Sequence, residues 1–112
     1  MDPPVPERRR FPRHRTLLGA KICYGDRYSI SVDSTIRSLS PAGANLRVLA
    51  TQPLPAQFIL LIVGEGLAHD ARVVWRRGDF VGVSLGEAMD LKGAVDERLK
   101  TVRQLWVALA PL

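Results

Sequence analysis

Arg8-Arg9-Arg10-Phe11-Pro12-Arg13-His14-Arg15 places five arginines in eight positions, out of sixteen Lys and Arg in a chain of 112 residues. A guanidinium is planar, permanently charged and carries five donors. It takes a phosphate bidentately, matches the O6/N7 edge of guanine, or stacks on an aromatic plane. Several of them on one arm can fold over a small anionic nucleotide and grip phosphate and base together. Read from the residues alone, two other partners stay open: bulk solvent around a basic tail, and salt-dependent attraction to RNA or anionic lipid.

A second segment, Ser38-Leu39-Ser40-Pro41-Ala42-Gly43, begins 25 residues beyond Arg13. Ser38 and Ser40 are two apart, so on a strand they share a side. Gly43 follows where the chain must turn and where another group can approach the backbone closely. That makes a small polar platform. Other chemistry is poorly supplied. His14 and His69 are far apart and Cys23 is the single cysteine, so neither a zinc-type cluster nor an intrachain disulfide is expected. The glycine turns match no phosphate-cradling loop before a helix, and the carboxylates show no acid–base pairing. No enzyme, cofactor or metal is expected.

The elements that must position these residues are mostly strands. Residues 1–15 hold three prolines before position 7 and no apolar period, and read as an extended, flexible basic arm of net charge +3. The other 97 residues carry eleven basic and nine acidic groups, so the arm is the electrostatic feature. From residue 16, short segments of β character recur: Leu17–Tyr24, a Gly25-Asp26 hairpin turn, then Tyr28, Ile30 and Val32 alternating with polar residues. That strand continues with less clean alternation to about Leu39. Ala44, Leu46 and Val48 restart it, and Phe58–Val63 is apolar throughout, as in a strand buried on both faces. Ala71–Arg76 and Val81–Leu85 form a hairpin across Gly78. Leu91, Val95, Leu99, Val102, Trp106 and Leu109 then follow helical spacing. Asp90 reads as its N-cap and Asp96–Lys100 as an i,i+4 pair. Trp75 and Trp106 fit core positions, and no strand shows an exposed aromatic platform for RNA. The expected fold is a mainly β, six-stranded antiparallel barrel over residues 16–112, with a C-terminal helix at about 91–109. No run approaches the roughly 20 apolar residues of a membrane span. The N-terminus, Met1–Pro6, has no apolar core for a signal peptide, so a soluble cytoplasmic protein is expected.

In this order and on this β pattern, the two segments resemble the PilZ domain family. The family pattern is Arg-x-x-x-Arg on an N-terminal arm, then [Asp/Asn]-x-Ser-x-x-Gly on a barrel. Arg9-Arg10-Phe11-Pro12-Arg13 is the single Arg-x-x-x-Arg in the cluster, and Ser38–Gly43 falls where the second motif belongs. Glu7–Phe11, Val73–Asp79 and Val81–Val83 resemble the family too, so the likeness spans roughly residues 7–87. The resemblance implies a bacterial receptor for the second messenger cyclic di-GMP. Arg9 and Arg13 would grip phosphate and guanine, often from an intercalated ligand dimer. Ser40 would hydrogen-bond the ligand, Gly43 would keep the platform open, and Arg8 and Arg10 can assist.

The departure is Ser38, where the family has Asp or Asn pairing with the guanine edge. An unpaired buried polar group costs about 1–3 kcal/mol, or roughly one to two decades of affinity. The resemblance therefore implies a single-domain receptor that passes its signal to an effector protein, with no DNA or RNA partner and no membrane insertion. The alternative is a degenerate PilZ-like domain that no longer binds cyclic di-GMP and acts through protein contacts. A small barrel holding RNA by its basic arm is a third reading.

Overall fold

Phe58–Val63 is where the sequence states the architecture most directly, because its residues are apolar on both sides of the strand. The computed structural model describes residues 14–110, with 14–17 as backbone alone. In it, Phe58, Leu60 and Ile62 of β4 (Gln57–Ile62) point into one buried cluster, and Ile59 and Leu61 into another. The first cluster fills a barrel. The second lies between the barrel's outer wall and the C-terminal segment.

The barrel is closed by six antiparallel strands in the order β4-β1-β2-β3-β6-β5, with β4 pairing back onto β5. They are β1 (His14–Tyr24), β2 (Ile30–Ser40), β3 (Gly43–Arg47), β4, β5 (Leu67–Arg77) and β6 (Phe80–Leu85). The β1–β4 and β4–β5 pairings join the two ends of the sheet and close it. Alternation sends Ala20, Ile22, Ile36, Ala44, Leu46, Val81 and Val83 inward. On the outer wall Lys21 and Asp33, opposite each other on β1 and β2, form an ion pair.

One hairpin connection differs from the sequence expectation and another agrees with it. The β1–β2 turn is longer than Gly25-Asp26. A short 3-10 turn occupies Asp26–Tyr28, and Arg27 (φ 55°) and Tyr28 (φ 56°) both take left-handed backbone. Tyr28 therefore leaves the strand and packs against the second cluster. The two-residue Gly78-Asp79 turn does form, with Gly78 at φ 57° and Arg77 opposite Phe80.

The C-terminal helix is also shorter than its apolar period suggests. Helix α1 runs Lys100–Leu109, ten residues, after a single 3-10 turn at Glu97–Leu99. Met89–Asp90 is instead a short strand, β7, paired with Leu67 and Ala68 of β5. Asp90 is not a helix cap: its carboxylate accepts the Lys92 backbone N–H at 2.8 Å, which holds its pKa below the usual carboxylate value. That turn, with Gly93 just beyond it, withholds the helix until residue 97. The anticipated Asp96–Lys100 pair is replaced by Lys100–Glu97 at 2.7 Å. Leu91, Leu99 and Val102 are nonetheless all buried in the second cluster, so the apolar spacing marked the right residues. Trp106 joins them and donates its indole N–H to the Val63 carbonyl at 2.9 Å.

Cys23 lies in the same cluster and is fully buried, and burial pushes its thiol up to about 11. It stays protonated and shielded at neutral pH. The expected outcome is that a thiol-specific maleimide leaves the folded protein unlabelled at pH 7.5 and labels it stoichiometrically in guanidinium. Rapid labelling without denaturant would contradict the described packing.

Candidate functional site

β1 begins at His14, opposite Leu39, and its next residue, Arg15, lies opposite Ser38. The chain thus joins the barrel beside the Ser-x-Ser segment. Arg8, Arg9, Arg10 and Arg13 lie outside the described residues. The barrel half of the site is described, and its geometry depends on a bulge.

In β2, Ile36 is opposite Leu46, but the next pairs are Ser38 with Asn45, Leu39 with Ala44 and Ser40 with Gly43. One extra residue, Arg37, is accommodated between Ile36 and Ser38, which shifts the pleat by one position. Ile36 and Leu39 consequently both face the barrel interior, while Ser38 and Ser40 share the outer face with Asn45 and Gly43. Without the bulge, the pleat that sends Leu39 inward would turn Ile36 outward. The irregular alternation over Ile36–Leu39 is its sequence trace. Arg37 stands exposed with its guanidinium 5.4 Å from the centre of the Phe80 ring, a cation–π contact.

Ser40 is half-buried and donates a long hydrogen bond, 3.4 Å, to the Gly43 carbonyl across the turn. Ser38 is 8 % exposed. At Gly43 the lack of a side chain has a structural cause besides the openness expected of it. A Cβ there would stand 2.5 Å from the backbone carbonyl oxygen of Val83 in β6. Gly43 lets β3 and β6 close together under the turn, and the Leu85 N–H donates to the Ala42 carbonyl at 3.0 Å.

Following the pairing around the barrel, Ser38 is opposite Asn45, Asn45 opposite Gly82, and Gly82 opposite Trp75. With Arg15 at its β1 end, this row crosses five strands. Asn45 is not singled out by the sequence, and Trp75 is read there as a core residue. Trp75 is not a core residue: β5 is bulged between Val73 and Trp75, so Val73 faces inward and the indole lies on the outer face, 44 % exposed. It covers Gly82, where any Cβ would collide with the indole ring. Phe80 is also exposed, so the face does carry aromatic surface, contrary to the sequence reading. A glycine between two core valines, Val81-Gly82-Val83, was the available signal that a large group lies against the strand.

A parallel row runs Ser40, Gly43, Ser84, Arg72 and Gln57. Its far end opens on a cleft of about 550 Å³ lined by Tyr24, Gln57, Arg72 and Ser84 among others. Asp70, also in that cleft, is held bidentately by Arg98 at 3.2 and 2.9 Å, which raises the arginine's pKa further. The outer face is thus polar, with guanidinium groups at Arg37 and Arg72 and an aromatic plane at Trp75. Such a surface suits an anionic, flat ligand. Among the described residues, no three His, Cys, Asp or Glu side chains gather as a metal site.

Comparison with curated proteins gives no match. The sequence profile of the PilZ domain, a family of cyclic di-GMP receptor domains rather than enzymes, matches residues 7–100 and so takes in both the arginine cluster and the barrel. With that match, and with a closed six-stranded barrel followed by a C-terminal helix, the chain belongs to the PilZ domain family.

Proposed function

We propose that this domain is a cyclic di-GMP receptor without catalytic activity, working in the cytoplasm by handing its signal to an effector protein. Arg9 and Arg13 grip phosphate and guanine, with Arg8 and Arg10 beside them. Ser38, Ser40 and Gly43 form the barrel side of the site. The observation that carries this reading is the β1–β2 register: His14 opposite Leu39 and Arg15 opposite Ser38 bring the last residues of the arginine cluster alongside the serine platform. An arm ordered by its ligand makes a new surface, and that surface is the signal.

A titration by calorimetry tests the proposal. The domain is expected to bind cyclic di-GMP, and absence of heat at high micromolar ligand would remove the reading. Ser38→Asn restores the family's carboxamide and is expected to tighten binding about ten-fold, the worth of one recovered hydrogen bond of roughly 1–1.5 kcal/mol.

The second reading is a PilZ domain that has lost the ligand and works by protein contact, and Ser38 is the observation that favours it. It predicts no binding by the natural sequence and recovery, if any, only in Ser38→Asn. RNA binding through the arm predicts a steep salt dependence and no preference for the cyclic dinucleotide.

A further inference from the structure

Among the described side chains of the serine–tryptophan row, that of Asn45 has an unmet need. Its Oδ1 is buried and has no hydrogen-bond partner among the described residues. Buried side-chain oxygens almost always have a donor, so an orphan of this kind calls for a reason. Packing does not supply one. Asn45 sits between core residues Ala44 and Leu46 and therefore points to the outer face. There a small apolar residue would lie between Ser38 and the Trp75-covered Gly82 without leaving any polar atom unsatisfied.

Its position supplies the reason. Asn45 is directly opposite Ser38, and antiparallel partners stand roughly 4.5–5.5 Å apart between Cα atoms. A carboxamide on β3 therefore reaches the same ground as one at position 38 of β2. Ser38 is too short to present an acceptor over that ground, and Asn45 is not. The Trp75 indole lies against Gly82 and so bounds the row on its β5 side.

We propose that Asn45 is the base-reading residue of this domain, its Oδ1 accepting the N1–H and N2–H donors of a guanine laid on the Ser38–Asn45 row. The assignment rests on the receptor reading above and adds to it the source of base specificity. Guanine offers N–H donors along that edge. Adenine offers an acceptor at N1, which would leave Oδ1 unpaired. A site built on such a bond discriminates against the analogue that lacks the donor.

The test is a calorimetric titration of the whole chain and two variants with cyclic di-GMP and cyclic di-AMP, alongside thermal melts. Asn45→Ala is expected to weaken cyclic di-GMP binding about ten- to a hundred-fold and to leave cyclic di-AMP binding where it was. It is also expected to melt no lower than the natural protein, since it removes an orphaned acceptor. Asn45→Asp keeps the acceptor and should keep the guanine preference. An Asn45→Ala protein that binds like the natural one, or loses both dinucleotides equally, overturns the assignment. If the natural protein binds no cyclic di-GMP, the receptor reading falls and this one with it. If it binds and Asn45→Ala changes nothing, only the role of Asn45 falls.

Discussion

Replacing Arg13 by alanine is expected to lower cyclic di-GMP affinity by about two to four decades, the largest effect of any single change on binding. Two charge-assisted hydrogen bonds from one guanidinium contribute about 1.5–3 kcal/mol each, and every 1.4 kcal/mol is about ten-fold. Arg9→Ala should behave alike. Arg13→Lys separates geometry from charge: it keeps the cation but loses the planar fork, so it should recover part of the binding and not all of it. Arg27→Ala, in the turn between β1 and β2 and outside both rows, serves as the control and should bind normally. Calorimetry on the four proteins reads the result. Equal loss in Arg27→Ala would mean that overall charge, and not the arm, draws the ligand.

The second large effect is on stability. Gly43→Ala places a methyl 2.5 Å from the Val83 carbonyl oxygen, a backbone atom that cannot swing aside as a side chain can. β3 must separate from β6, and the expected cost is about 2–3 kcal/mol, at the upper end of ordinary overpacking. For a domain of this size that lowers the melting temperature by about 10 °C. Gly19 in β1 is the internal comparison, because a Cβ there meets nothing within 4 Å. Gly19→Ala should be neutral or slightly stabilising, by about 0.4–1 kcal/mol. Thermal melts that rank the two variants in the opposite order would contradict the described β3–β6 contact. Because Gly43 also borders the serine platform, binding by its variant is to be measured well below its melting point, so that loss of fold and loss of site are not confused.

Much of this barrel could be read from alternation. Phe58–Val63 announced a strand covered on both sides, and it has the barrel interior on one face and the helix segment on the other. Alternation fails where the pleat slips. The bulge at Arg37 decides that Ser38 and Ser40 face out together with Asn45, and the bulge after Val73 decides that Trp75 lies outside the core. Neither follows from local propensity, because a bulge is fixed by what the partner strand offers. The helix was overextended for a related reason: Leu91 shares its spacing with Leu99 and Val102, but Asp90 is claimed by a pairing with Leu67, far away in sequence. The serine motif could be found by itself. Asn45 could not, because its meaning lies in being opposite Ser38 and in an oxygen left without a donor.

In the proposed receptor the arginine cluster and the Ser38–Asn45 row act on one ligand. Backbone amide chemical shifts during a titration with cyclic di-GMP test it most directly. The largest changes are expected to fall together on residues 8–15, 38–45 and 82, with α1 little affected. Shifts confined to α1 or to the β1–β2 turn, or a spectrum that ignores saturating ligand, would contradict it.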